Sequence, residues 1–290
     1  MKLSEAMIVG IASALIAVAL LRTANWTGTT ELRLASQPGF DRVMKTRTLH
    51  CATSSRAGYV ILDPYHNINR SIAHDIVEQM GRILELDIEW ADEVPIKQAV
   101  AKLTDGSADA LCSPLWPDGP RADTLDFTAP IDYMPLYAYA RAEDARFDGN
   151  LSKINDADVT IAAIEGGEAK TIATEDFPKA TQYSLTDVID EPHLFLAVTT
   201  KKADIAFSDP FTADDFIKNN PSTLKQVANA PPLRVFGESF ATAKGETKLR
   251  DTLNVALTQM QQSGFIRATL DKYLADRKGE FFYVGKGYEQ

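Results

Sequence analysis

Between residues 48 and 112 the apolar and polar positions switch repeatedly between two periods. Thr48 to Thr53 (TLHCAT) is a short run of strand formers, and Asn69 to Leu86 carries apolar residues at the three- and four-residue spacing of an amphipathic helix. Asp87 to Trp90 is extended again, Pro95 to Leu103 is helical, and Ala108 to Cys112 (ADALC) reads as a buried strand. Strand, helix, strand, helix, strand predicts a parallel sheet with helices on both faces. The rhythm restarts with a strand at Val159 to Ile164, a tight turn at Gly166-Gly167, helices at Glu168 to Asp176 and Thr186 to Thr199, and a strand at Ala203 to Phe207. Between the two units lies the extended aromatic segment Tyr133 to Ala140 (YMPLYAYA). After the second comes Pro231 to Phe240 (PPLRVFGESF), then helices at Glu246 to Gly264 and Phe265 to Leu274. A chain that leaves one α/β unit, builds another and returns predicts two lobes joined by two crossing strands.

In such sheets ligands gather outside the carboxyl ends of the strands. The loop at one of those ends, Cys112 to Ile131 (CSPLWPDGPRADTLDFTAPI), is rigid, aromatic and charged, with Trp116 and the lone Arg121. An internal echo pairs it with the second unit: Ala108-Asp109 is followed by Ser113, and Ala203-Asp204 by Ser208 at the same spacing. Two such turns would face each other across a cleft, one reaching Arg121 and the other beginning with Asp209.

The bulk properties narrow the partner. A 290-residue chain with 45% apolar and 24% charged residues is globular in composition. A net charge of -10 without a clustered basic surface excludes a nucleic-acid backbone as partner. Lys2 precedes an uncharged run from Ala6 to Leu21 that ends at Arg22, the pattern of an export segment, either a cleaved signal or a retained membrane anchor. Export places the folded body outside the cytoplasm. Cys51 and Cys112 both close apolar strand-like runs and read as two buried thiols, although an oxidising compartment permits a bridge if their Cα atoms come within about 7 Å. His50, His66, His74 and His193 lack metal-ligand spacing, and no phosphate loop, nucleophile elbow or paired-cysteine motif is present, so neither a metal nor a cofactor is expected.

Several short patterns occur together in a specific order: Gly106 to Ala110 (G-x-x-D-A), Arg121 followed by Phe127-Thr-Ala-Pro130, the turn Glu165-Gly166, Ala203 to Asp209, Leu249 to Leu257 (L-x-x-x-L-N-x-A-L), and Gly264 to Tyr273. On these, the chain from about Leu49 to Leu274 resembles the periplasmic solute-binding proteins for polar amino acids, family 3, the receptors of ABC importers. The resemblance implies a two-lobed, periplasmic-binding-protein-like (type 2) α/β fold with two hinge strands, and a small-molecule ligand, an amino acid or similar zwitterion. It further implies an ABC permease as partner and no enzymatic activity. It places Arg121 on the ligand carboxylate and Asp209 on the ligand ammonium. A guanidinium fork and a carboxylate suit those two groups chemically.

Departures from the family pattern affect the rest of the site. Pro114 to Pro117 replaces the expected small hydroxyl residue, and Gly167-Glu168 follows the turn glycine, so Glu168 adds a negative charge where a carboxylate should sit. The loop after the first strand, Thr53-Ser-Ser-Arg56, lacks the usual stacking aromatic, which Trp116 would replace. Arg56, Tyr59, Ser113, Gly167 and Glu168 complete the expected ligand-binding set. The expected organisation is 1–24 signal or anchor, 25–47 linker, 48–134 plus 236–275 lobe one, 139–233 lobe two, and 276–290 tail. Two rival readings are a membrane-tethered solute sensor and an enzyme resembling the cyclohexadienyl dehydratases, with Glu168 as its acid.

Overall fold

The computed structural model describes residues 39–56, 58–60, 71–165, 167–186, 192–277 and 281–285. The apolar run at 6–21, and with it the choice between signal and anchor, lies outside them, as does Gly166. Among the described residues no helix is long and apolar enough to cross a membrane.

The first unit contains α1 (Gly39–Thr46), β1 (Thr48–Thr53), α2 (Ile72–Leu84), β2 (Asp87–Glu93), α3 (Ile96–Thr104), β3 (Ala110–Leu115), the single turn α4 (Gly119–Ala122) and β4 (Leu125–Phe127). The long strand β5 (Asp132–Arg141) carries the chain into β6 (Thr160–Ile164), α5 (Glu168–Asp176), β7 (Thr181–Leu185), α6 (Pro192–Thr199), β8 (Ile205–Ser208), α7 (Pro210–Asn219) and β9 (Leu224–Gln226). The equally long β10 (Arg234–Ala243) returns it, followed by α8 (Thr247–Gln262), α9 (Phe265–Leu274) and β11 (Phe282–Tyr283). Strand order is β2-β1-β3-β10 in the first lobe and β5-β8-β6-β7 in the second. Between them Glu238 to Arg234 of β10 pairs antiparallel with Asp132 to Leu136 of β5, a two-stranded hinge.

Burial explains why the core strands read as continuous apolar runs. β3 is buried at every position, because Ala110 and Cys112 face the core of α2, α8 and α9, whereas Leu111 and Leu115 face α3. The echoed aspartates share one structural role. Asp109 accepts from the His50 backbone N–H at 2.9 Å and from Arg42, and Asp204 accepts from the Thr160 N–H at 3.0 Å and from Arg141 at 3.0 Å. Each ties the start of its lobe's third strand to the first strand of that lobe.

Two segments gain structure and one expectation is overturned. Part of the anticipated linker is α1, held by Glu246, which accepts from the Gly39 and Phe40 N–H groups. The tail contributes β11, paired with β5. Cys51 and Cys112 form a disulfide rather than two thiols, with Cα atoms 5.4 Å apart. The cause is the strand order: β1 and β3 are neighbours, pairing Cys51 with Ala110, so the two cysteines lie on one face of adjacent strands. Strand adjacency across 61 residues of sequence separation is a tertiary fact that composition does not carry. The short strands β4, β7 and β9 also escape the sequence pattern; β7 (TQYSL) has no fully buried position.

Candidate functional site

The loops after β1, β3, β6 and β8 meet at the hinge, and they bring the expected residues together in an uneven way. Ser113 is structural: its buried Oγ accepts from the Ser54 N–H at 2.8 Å and donates to the Ser54 carbonyl at 2.7 Å, locking the loop after β1 onto β3. Gly167 is the N-cap of α5, where a Cβ would stand 3.2 Å from the Ile164 carbonyl oxygen. Glu168 therefore opens α5 and points out of the second lobe. Asp118 caps α4 by accepting from the Arg121 N–H at 2.7 Å, which orients Arg121 towards the same space from the first lobe.

The two meet. Arg121 Nη1 lies 2.7 Å from Glu168 Oε1 and 2.8 Å from Asp118 Oδ2, and donates to the Trp116 carbonyl at 3.1 Å. Asp209 is the N-cap of α7, its Oδ1 accepting from the Thr212 N–H at 2.9 Å and its Oδ2 from the Thr212 hydroxyl at 3.0 Å; Arg56 Nη1 of the first lobe stands 3.7 Å from the same Oδ2. Arg56 also donates to Glu238 and sits 4.7 Å over the Trp116 ring. Trp116 is not an exposed stacking face. It is buried against Phe236 at 4.7 Å between ring centroids, and its indole N–H donates to Glu238 at 2.6 Å.

Beneath these side chains lies an acidic pair that the sequence reading missed. Glu238 of β10 and Asp132 of β5 are register partners across the hinge, both fully buried. Tyr59, also fully buried, donates its hydroxyl to Asp132. Burial pushes the Asp132 carboxyl well above the usual range, and the neighbouring Glu238 adds to the rise. Burial also raises Glu238, although Arg56 opposes it. The Tyr59 phenol is raised strongly for the same reason, burial first and Asp132 second. One carboxylate in each crossing strand was the available signal; only the antiparallel register shows that they face each other.

This pair sets a pH dependence. A carboxyl group whose folded pKa is raised binds its proton more tightly folded than unfolded, so its contribution favours the fold below the ordinary value of 3.8 and is lost as pH rises through the folded value. Asp75, Asp126, Asp144 and Asp204 are shifted the other way, downwards, and lose their contributions as pH falls below the ordinary range. The two sets therefore oppose each other: Asp132 and Glu238 favour the fold at acid pH, and the lowered aspartates favour it above the ordinary carboxylate range. Asp132→Asn, whose amide oxygen still accepts from Tyr59, removes the Asp132 contribution and flattens the fall in melting temperature as pH rises above the ordinary carboxyl range; a calorimetric pH series reads the slope.

A small pocket of about 30 Å³ lies between the lobes, lined by Trp116, Leu136, Ile164, Leu194 and Phe207, with Gly167, Glu168 and Ala169 at the start of α5. Glu168 is the charged residue among those lining it, and through Glu168 the pocket meets Arg121. Residues 69–276 match the bacterial extracellular solute-binding proteins, family 3. The chain belongs to that family. It is 22% identical over 207 residues, 71% of this chain and 75% of the relative, to a probable histidine-binding protein of Neisseria gonorrhoeae. Among solved structures it is similar to the ancestral amino acid-binding protein AncCDT-1, a precursor of cyclohexadienyl dehydratase, with a TM-score of 0.65 and 20% identity over 82% of this chain and 99% of that one. It is equally similar in fold to a histidine kinase sensor domain with similarity to periplasmic binding proteins, with a TM-score of 0.65 and 16% identity over 82% and 98% of the two chains. These likenesses establish the two-lobed fold, and family membership makes the chain a solute-binding protein.

Proposed function

We propose that this family 3 protein captures an amino acid or similar small zwitterion between its lobes, outside the cytoplasm, and presents it to an ABC importer. The observation that carries the reading is the placement of opposite charges on opposite lobes where the lobes meet: Arg121 of the first lobe reaches Glu168 of the second, and Asp209, which opens α7 in the second, faces Arg56 of the first. A guanidinium matches a carboxylate in two parallel hydrogen bonds, and a carboxylate matches an ammonium. A solute with both charges would bridge the lobes and favour the closed state by its differential affinity for it. In this reading lobe one comprises 48–134 plus 236–275, and lobe two 139–233. The names of the Neisseria relative and of the ancestral protein support an amino acid over a sugar.

A thermal-shift screen against the twenty amino acids, polyamines, sugars and dicarboxylates tests the class, since a ligand that binds only the folded state raises the midpoint. An amino acid shifting the midpoint by several degrees, with 1:1 calorimetric binding, is the expected result. A response confined to sugars or dicarboxylates would overturn it. The likeness to a histidine kinase sensor domain favours a second reading, in which the same cleft serves a membrane-tethered sensor. Amino-terminal sequencing of the mature protein separates the two: loss of residues 1–24 fits a released receptor, retention a tethered one.

A further inference from the structure

The two charges expected to hold a solute are already held by the protein. Arg121 of the first lobe is paired with Glu168 of the second at 2.7 Å, and Asp209 of the second lobe faces Arg56 of the first at 3.7 Å. Each pair crosses the cleft, and each opposes a cation from one lobe to an anion from the other. Glu168 offers Arg121 a carboxylate, and Arg56 offers Asp209 a cation, which are the two charges of a zwitterion.

A second set of contacts crosses between the lobes beyond this pocket. Phe211, the second residue of α7, is buried with its ring edge-on to Tyr59 at 6.3 Å between centroids. It packs so closely on Gly58 that a Cβ there would stand 3.0 Å from the ring, at a backbone φ of +78° that glycine tolerates. Arg277, just beyond α9, lays its guanidinium 4.0 Å over the same ring and donates to Asp214 at 2.8 Å and to the Pro210 carbonyl at 3.1 Å. One apolar cluster accordingly runs from Tyr59 and Trp116 in the first lobe to Phe207 and Phe211 in the second. A cleft lined only for a solute has no need of these contacts, because they stabilise closure whether or not a solute is present.

We propose that Glu168 and Arg56 are built-in competitors for the solute, and that with the Phe211, Arg277 and Asp214 clasp they hold the solute-free receptor in its closed form. A solute then binds by displacing Glu168 from Arg121, and its apparent affinity is reduced by the small fraction of receptor in which those side chains are displaced. Glu168 thereby acts as a specificity residue, since any solute carboxylate that reaches Arg121 without expelling it meets a like charge. The inference rests on reading the interlobe cleft as the solute site.

The test is a distance measurement on the full chain without solute. Spin labels are placed at Asp123→Cys and Thr171→Cys, two exposed positions flanking the Arg121 and Glu168 contact on either lobe, with the native disulfide kept oxidised. The expected result is one short, narrow distance in the labelled parent, and a longer, broader one after Glu168→Gln combined with Asp214→Asn. Arg121→Glu and Glu168→Arg should each open the cleft alone, and together restore the short distance. Circular dichroism of each variant checks that it is folded. An open, broad distribution in the solute-free parent, or a distance that these substitutions leave unchanged, overturns the proposal. Calorimetry against the twenty amino acids adds an independent readout: Glu168→Gln should bind at least one of them about tenfold more tightly than the parent does. If the distances behave as expected while neither form binds any amino acid, the solute assignment fails and the self-closed state stands. If the parent binds an amino acid but is open without it, the self-closed state fails and the solute assignment stands.

Discussion

Arg121→Ala is expected to lower the affinity for the proposed amino-acid ligand by about thirtyfold or more while leaving the protein folded. The guanidinium is a cation of the first lobe that pairs across the cleft with Glu168, and its remaining partners, Asp118 and the Trp116 carbonyl, belong to its own loop. Truncating one partner of a desolvated, hydrogen-bonded charge pair typically costs about 2–5 kcal/mol of binding. Asp209 needs a more careful substitution, because it has a structural duty as well. Asp209→Ala removes the N-cap of α7, a loss of about 1 kcal/mol in stability, in addition to the charge. Asn caps helices about as well as Asp, so Asp209→Asn keeps the cap and removes only the charge. The expected pattern is a lowered melting temperature in Asp209→Ala alone, and a comparable loss of affinity in both. Isothermal calorimetry with the solute found by screening, run beside thermal melts, reads the two effects separately. Affinity unchanged in both Arg121→Ala and Asp209→Asn would remove the zwitterion site from this cleft.

The second large effect concerns stability. Replacing both Cys51 and Cys112 by alanine should lower the unfolding free energy by about 4 kcal/mol, the loop-closure entropy of a bridge spanning about 61 residues. For a protein of this size that corresponds to a fall of roughly 10 °C in melting temperature. The bridge joins β1 to β3 immediately before the two loops that carry Arg56 and Arg121, so its loss should also loosen the first-lobe side of the cleft. Urea denaturation of the double variant, and of the parent with and without reductant, measures the effect. Equal midpoints in all three would mean that the cross-link adds nothing to the folded state.

The acidic composition takes on a specific meaning at the hinge. Asp132, Glu238, Asp209 and Glu168 converge there against Arg56 and Arg121, so carboxyl groups outnumber guanidinium groups among these residues. Two of those carboxyls are buried and raised, so the hinge is a place where stability responds to pH through its carboxyl groups.

Much of the architecture was legible in the chain. The double βαβ rhythm, the two extended aromatic segments and the final helices specify two α/β lobes and two crossing strands, because helix and strand impose different periods on buried positions and those periods survive in a single sequence. Arg121 and Asp209 were legible too, being charged residues at the ends of buried strands, where a parallel sheet directs its loops. What the periods could not convey is which loops touch. The Cys51 to Cys112 bridge depends on β1 and β3 being neighbours, and the Asp132 and Glu238 pair on the antiparallel register of β5 with β10. The partners taken by Arg121 and Arg56 depend on how closely the second lobe lies over the first. The sequence by itself determined the lobes, the hinge strands and the charges sent to the cleft. Only the tertiary structure decided which side chains meet there, because charge pairing and burial act over a few ångströms between segments that lie tens to hundreds of residues apart along the chain.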